Sequence, residues 1–454
     1  MTLAVASIGY NARFVRSSII GAMVQQHVIT ARAKGISRAR VFVRHVVRNA
    51  LLPILTIVGL QIGHLLSGAV FVETVFSRPG VGRLLVQSIL AHDYPTVQAV
   101  VLIIAIIYAV TNFIVDMLYP FSIPASHIAS ERSTMQVQAE MEGSSQRPPL
   151  GSKGLVQLKV EAEAPKSTAE PLTPRKALGR QIIRALTHRS LALGLTICLV
   201  LIILVAAAPL LTSVNPSSQD PMHTFSPPSL TYLMGTDAFG RDLFARVLYG
   251  GRTTMLASLC VVLLGCVFGT TIGLAAGYFG GAFGFCVMRI VDLLLAFPGI
   301  LLALAVTAIL GPGLINGVIA IAGVVIPVYA RLVEGATTEI RNLPYVDSAI
   351  TLGAGPLWII GRHILPNVLS GVVVLTTTWI GIAALWIAAL GFIGLGVQPP
   401  MPELGTILSD SQNFITLAWW ITFFPGVFLS LFVVGVNLIG DGLRDEFDPT
   451  LARA

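Results

Sequence analysis

The chain has 454 residues, of which 54% are hydrophobic and only 11% charged, with a mean hydropathy of +0.81 and a formal net charge of +7. Soluble proteins carry about a quarter charged residues, so this balance excludes a large water-soluble core. The cations cluster before residue 53 and between residues 121 and 189, where the positive-inside rule explains them and leaves a nucleic-acid role as the weaker reading.

In chain order, Met1 opens a short apolar stretch followed by Arg13 and Arg16, without the small-residue cleavage site of a signal peptide. Apolar runs long enough to cross a bilayer core of about 30 Å lie at 55–76 and 97–118. Residues 121–188 are rich in Ser, Pro, Ala, Glu and Lys, and 131–174 has the composition of a disordered linker. Six more runs follow, at 191–211, 255–277, 290–310, 314–329, 368–396 and 417–440. The expectation is an all-α integral membrane protein of about eight transmembrane helices, six of them in the second half. Alternation then places the N-terminal stretch, the linker, residues 331–367 and the tail inside, with 77–96 and 212–253 outside.

The two long inside loops share a pattern. The first reads Ala31-Arg-Ala-Lys-Gly35 and then Arg48-Asn-Ala-Leu-Leu-Pro53. The second reads Asp347-Ser-Ala349-Ile-Thr-Leu-Gly353 and then Arg362-His-Ile-Leu365-Pro366-Asn367. Gly admits φ > 0 and a sharp turn, whereas Pro cannot continue a helix interior. Each loop is therefore expected to be a helix, a glycine break, a second helix and a Leu-Pro stop. A short helix across the inner face could sit in a groove of another protein and pass its movement to the spans. The candidate coupling residues are Asp347, Ala349, Gly353, Leu365 and Pro366, with Ala31, Gly35 and Pro53 in the first loop. The shared pattern reads as an internal duplication whose first copy is truncated.

Polar residues inside spans are costly and usually have a task. Asp292, three residues after Arg289 and near the inner end of its span, is expected in a structural ion pair or snorkelling to the interface rather than in a substrate contact. Gln61, His64 and Glu73 lie in the span after the first loop, with His64 read as a helix–helix hydrogen-bond partner rather than a metal ligand. Asn437 and Asp441 close the last span, and Trp419 and Trp420 read as an aromatic belt. Arg40, Arg44 and Arg48 share one helical stripe suited to lipid headgroups or a docked partner. Asp237, Arg241, Asp242 and Arg246 form an outer cluster that either packs its loop onto the spans or meets a substrate-binding protein. Cys198, Cys260, Cys266 and Cys286 show neither metal nor disulfide spacing. The chain has no G-x4-G-K-[ST], H-E-x-x-H or G-x-S-x-G, so no hydrolysis of ATP or peptides by the chain itself is expected.

The Gly353-to-Pro366 spacing is similar to the E-A-A…G…I-x-L-P loop of binding-protein-dependent ABC transporter permeases. More closely, the chain resembles the dipeptide/oligopeptide/nickel importers. The second half carries Gly235-Thr-Asp-Ala-Phe-Gly-Arg-Asp242, Arg289-Ile-Val-Asp292, Ala296-Phe-Pro298, Gly391-Phe-Ile-Gly-Leu-Gly-Val-Gln-Pro-Pro400, Pro402-Glu-Leu-Gly405 and Gly440-Asp-Gly-Leu-Arg-Asp445, then Asp448-Pro449. The first half resembles the last third of the partner permease through Thr30-Ala-Arg-Ala-Lys-Gly35, Val72-Glu-Thr-Val-Phe76 and Pro79-Gly-Val-Gly-Arg83, with Asn112 and Asp116 in its last span. The second half departs from the pattern at Asp347-Ser348, where the motif has Glu-Ala, and the first half at Phe121-Ser-Ile-Pro124, which lacks the usual Asp-Pro-Arg.

The resemblance implies a truncated first permease at 1–122, a cytoplasmic linker at 123–184 and a complete six-helix permease at 185–454. It implies a non-enzymatic subunit of an ATP-driven importer of dipeptides, oligopeptides or a related small solute, in a bacterial inner membrane with both termini cytoplasmic. Expected partners are ABC ATPase subunits, a second permease subunit or full-length first permease, an extracytoplasmic solute-binding protein and the bilayer. No cofactor is expected on this chain, since ATP is hydrolysed by the partner subunits. A nickel or other solute importer, and a non-functional fused remnant, stand as alternatives.

Overall fold

The computed structural model describes residues 2–122 and 189–447. Most of the expected linker and the Asp448-Pro449 motif lie outside the described residues, as do the side chains of His64 and Asp116. Regular structure among the described residues is helical, apart from one isolated bridge between Thr236 and Asp242. The chain divides into two compact units, 1–62 with 110–180, and 63–109 with 181–454.

The first unit begins with α1 (Thr2–Met23), α2 (Gln26–Ala33) and α3 (Arg38–Val41). A π-helical segment, Phe42–Val47, leads into α4 (Arg48–Val75). Its core is small and local: Ala22, Val28, Ala31, Val41, Val46 and Ala50.

The second unit takes the far part of α4, then α5 (Val81–Leu90) and the start of α6 (Tyr94–Ser122). The six-span half follows as α7 (Arg189–Ala206), α8 (Ala208–Leu211), α9 (Leu243–Phe279), α10 (Gly281–Leu295), α11 (Gly299–Leu310) and α12 (Leu314–Arg341). It continues with α13 (Pro344–Thr351), α14 (Pro356–Ile359), a π turn at Ile360–Ile364, α15 (Leu365–Ile393), α16 (Leu404–Ser411) and α17 (Trp420–Phe447). The expected apolar runs fall on α4, α6, α7, α9, the α10–α11 pair, α12, α15 and α17. By length and apolarity alone, five described helices qualify as spans, and a sixth if the bent α10–α11 pair counts as one.

That pair differs from the single straight span expected at 290–310. It bends by 91° between Leu295 and Gly299. Pro298 has no N–H to continue the ladder, and its ring disfavours helical geometry at Phe297. The break carries Asp292 on α10 to Arg331 on α12, with Nη2 to Oδ1 at 3.6 Å. The expected ion pair is thus made with Arg331, while Arg289 stacks on the Phe285 ring at 4.9 Å.

Close helix contact organises the six-span half. Gly265, Gly269, Gly273 and Gly277 line one stripe of α9 against α12. A Cβ added at Gly269 would stand 2.6 Å from the Ile326 carbonyl, and one at Gly273 would stand 2.6 Å from that of Ala330. Between membrane helices, where water gives no apolar driving force, such small-residue stripes let backbones approach and dispersion act. Buried Tyr329 on α12 donates from its hydroxyl to Thr376 Oγ1 on α15 at 3.0 Å, tying a third span in.

Candidate functional site

The two loops close in the same way. At the end of α2, the N–H groups of Lys34, Gly35 and Ile36 donate to the carbonyls of Thr30, Arg32 and Ala31. At the end of α13, those of Leu352, Gly353 and Ala354 donate to Ser348, Ile350 and Ala349. Both are Schellman-type caps, which need a left-handed residue after the helix. Gly35 has φ of 77° and Gly353 has φ of 85°, a region that side chains with a Cβ rarely adopt. Ala31 and Ala349, buried inside each turn, hold equivalent places. After a short α-helical turn, each chain passes through a π segment into a span. Arg44-His45 and Arg362-His363 occupy matching places in these π segments.

This register corrects the expected role of the prolines. Carried forward without a gap from Gly35 and Gly353, it puts Arg48 opposite Pro366 and Asn49 opposite Asn367. Pro53 therefore lies inside α4, whereas Pro366 stands in the first turn of α15. Neither Leu-Pro is a stop. The second helix runs through the π turn into the span, and 356–393 forms one long apolar helical stretch. Proline's missing N–H is tolerated where the π turn has already displaced the i−4 pairing. Leu365 is half-buried at this junction.

The loops differ in anchorage and in surface. Val346, Ile359 and Ile364 of the second loop belong to the main core, with Tyr329 and Val333 of α12. Its outer surface is apolar, with Leu352 88% and Leu357 84% exposed beside exposed Tyr345, Asp347 and Trp358. The first loop packs into its own small core, and Lys34, Arg38, Arg40, Arg44 and Arg48 are exposed on it.

The match continues to the opposite ends of the spans. Added Cβ atoms on Gly63 and Gly381 would meet Tyr108 of α6 and Val433 of α17. Gly82 at the start of α5 lies against the backbone of Val70, and Gly405 at the start of α16 against that of Ala388. A carboxylate caps each short helix, half-buried in the first copy and buried in the second. Glu73 on α4 accepts from the Gly82 and Arg83 N–H groups at 2.8 and 3.1 Å. Glu403, the N-cap of α16, accepts from Thr406 N–H at 3.0 Å and from Thr254 Oγ1 at 2.9 Å. The ungapped register puts Glu73 opposite Gly391, and matching Gly82 to Gly405, across five further residues in the second copy, puts Gly80 opposite Glu403. A Cβ on Gly80 would strike the Glu73 carboxylate, and one on Gly391 would strike that of Glu403. The same cap is thus supplied from opposite sides of the junction in the two copies. Burial pushes the Glu403 carboxyl above its usual range against the pull of its donors.

The charged cluster packs its loop. Asp237 accepts from Arg241 Nε at 2.5 Å, and Arg246, 3% exposed in its side chain, lies 3.5 Å from the same carboxylate. Asp410 of α16, absent from the expected set, lies 3.3 Å from Arg241 and 3.7 Å from Arg246. Asp242 instead caps α9 through the Phe244 and Ala245 N–H groups. Trp419 is exposed, as a belt residue should be, but Trp420 is buried and donates from Nε1 to the Thr236 carbonyl at 3.2 Å. Its expected belt role is replaced by a loop clamp, because the folded loop 207–242 covers it.

Two loops of one backbone form, each leading into an apolar span, are thus set in an all-α integral membrane protein. The family described as binding-protein-dependent transport system inner membrane component matches residues 1–126 and 269–453, and the chain belongs to it. It is 43% identical over 302 residues to the dipeptide transport system permease protein DppC of Alkalihalophilus pseudofirmus, covering 65% of this chain and 99% of that one. It is 42% identical over 279 residues to the glutathione transport system permease protein GsiD of Pectobacterium atrosepticum, covering 62% and 92%. It is 41% identical over 282 residues to the di/tripeptide transport system permease protein DppC of Pseudomonas aeruginosa, covering 61% and 93%. The chain is a multi-pass inner-membrane permease of the ABC importer family.

Proposed function

We propose that the chain passes dipeptides, oligopeptides or a related small solute inward by alternating access, driven through the loop at Asp347–Pro366. The observation that carries this reading is that loop's form. A rigid Schellman turn holds a surface helix, and buried Val346, Ile359 and Ile364 tie it to the core. Exposed Leu352, Leu357 and Trp358 offer an apolar face to a partner. Large unpaired apolar side chains rimmed by polar ones mark interaction sites. The partner is an ABC ATPase subunit that supplies ATP hydrolysis, while this chain holds no cofactor of its own. The similarity to dipeptide, glutathione and di/tripeptide permeases supports the peptide assignment.

In this reading residues 1–122 are the end of a first permease, 123–184 a tether and 185–454 a whole second permease. Both termini and both loops face the cytoplasm, and an extracytoplasmic binding protein delivers solute to the other face. Gly353→Val tests the reading. Valine does not take φ near 85°, so the surface helix would tilt. Membrane insertion is expected at the normal level, with uptake of labelled dipeptide in vesicles lost. Normal uptake by this variant refutes the coupling role.

A further inference from the structure

The part of the first copy within the second unit makes a specific contact with the six-span half. Val70, Leu85, Val86, Ile89, Val97 and Val100 share one buried core with residues of α9, α11, α12 and α15. At the far ends of the spans, Gln412, just past the end of α16, donates from Nε2 to the carbonyl of Val75, the last residue of α4, at 2.7 Å. Reciprocally, Leu90 at the end of α5 lies 3.9 Å from the place of a Cβ on Gly394, just past α15. In the internal register, α16 matches α5 and α4 matches α15. Each copy therefore sets the end of its short helix on the end of the other's span.

A contact in which patch i meets patch j, and j meets i, is the signature of a two-fold pair of subunits. Here it is made within one chain. We propose that residues 63–109 occupy the face on which the six-span half would receive another permease, so that the chain closes its own pairing surface. The occupant is the chain's own first copy, and neither a second copy nor a separate permease binds at that face. This rests on the two-copy reading of residues 1–122 but not on any assignment of solute or ATPase.

The test uses the full chain with Cys198, Cys260, Cys266 and Cys286 replaced by alanine, Val75→Cys and Gln412→Cys introduced, and a protease site placed between residues 150 and 151. Two differently tagged copies are co-expressed, treated in membranes with a short bifunctional thiol reagent, then cleaved and run under denaturing conditions. Most of the chain is expected to stay joined as one polypeptide's worth of mass, with each tag linked only to itself. Halves that separate after cleavage, or links that join the two tags, overturn the proposal. If the cysteine-free chain fails to accumulate, the native chain carrying only the protease site serves: cleaved halves should co-purify in mild detergent, and their separation overturns the proposal. Neither readout depends on transport, so a failure here is distinct from a failure of the coupling role.

Discussion

The first and second copies share one backbone plan and differ in what surrounds it. Both run from a Schellman turn through a π segment into a span, then to a short capped helix and a last span. The second loop is built into the main core and shows an apolar face, while the first packs into six small residues under a basic face. Backbone geometry is thus kept by a few glycines and caps, whereas anchorage differs between the copies. A surface helix can transmit force only if its inner face is fixed to the spans it moves.

The strongest way to break the comparison is through the glycines under the short helices. Gly405→Val would drive a side chain into the Ala388 carbonyl, and Gly82→Val into the Val70 backbone. Each should cost about 4 kcal/mol or more, at the extreme of single substitutions. Accumulation in membranes and thermal unfolding in detergent should fall for both. If only the Gly405 change does so, the two short helices are not structural equivalents.

The exchanged carboxylates sharpen the comparison at smaller cost. Glu403→Gly leaves the Thr406 N–H without its side-chain acceptor and Thr254 Oγ1 with only the Gly250 carbonyl, at about 1–3 kcal/mol. Adding Gly391→Glu should rebuild the first copy's version of the cap and recover at least about 1 kcal/mol, a coupling that a double-mutant cycle reads directly. No recovery would mean that the match of Glu73 with Gly391 is coincidental.

The smallest effect is the pH dependence of that cap. Burial raises the Glu403 carboxyl, so the native state holds a proton that the unfolded chain releases. Its contribution to stability is complete below the ordinary glutamate range and is lost as pH rises through the raised value. The slope stays under about 1.4 kcal/mol per pH unit for one group. After the intrinsic hydroxide-catalysed rate is divided out, protection of the amides across 404–411 should fall with rising pH in the native chain and stay flat in Glu403→Gln.

Much of this plan was legible in local sequence. Apolar runs located the spans, and Gly35 and Gly353 announced left-handed turns, because both signals depend on a few neighbouring residues. Features made by distant residues were not legible. The Gly265-to-Gly277 stripe acts only against α12, and Asp410 joins Arg241 and Arg246 only after α16 folds back. Leu-Pro was read as a stop because proline is judged on an α ladder, whereas a π turn precedes Pro366. Trp420 resembled a belt residue until Thr236 covered it.

On the proposed function, the second loop, rather than the first, is the principal seat of an ATPase subunit. Leu352→Cys and, in a separate variant, Lys34→Cys can be placed in chains lacking their native cysteines and coupled to a photoreactive group in native membranes. Leu352 is expected to capture an ATPase subunit in high yield and Lys34 far less. Capture from Lys34 alone, with none from Leu352, would contradict it.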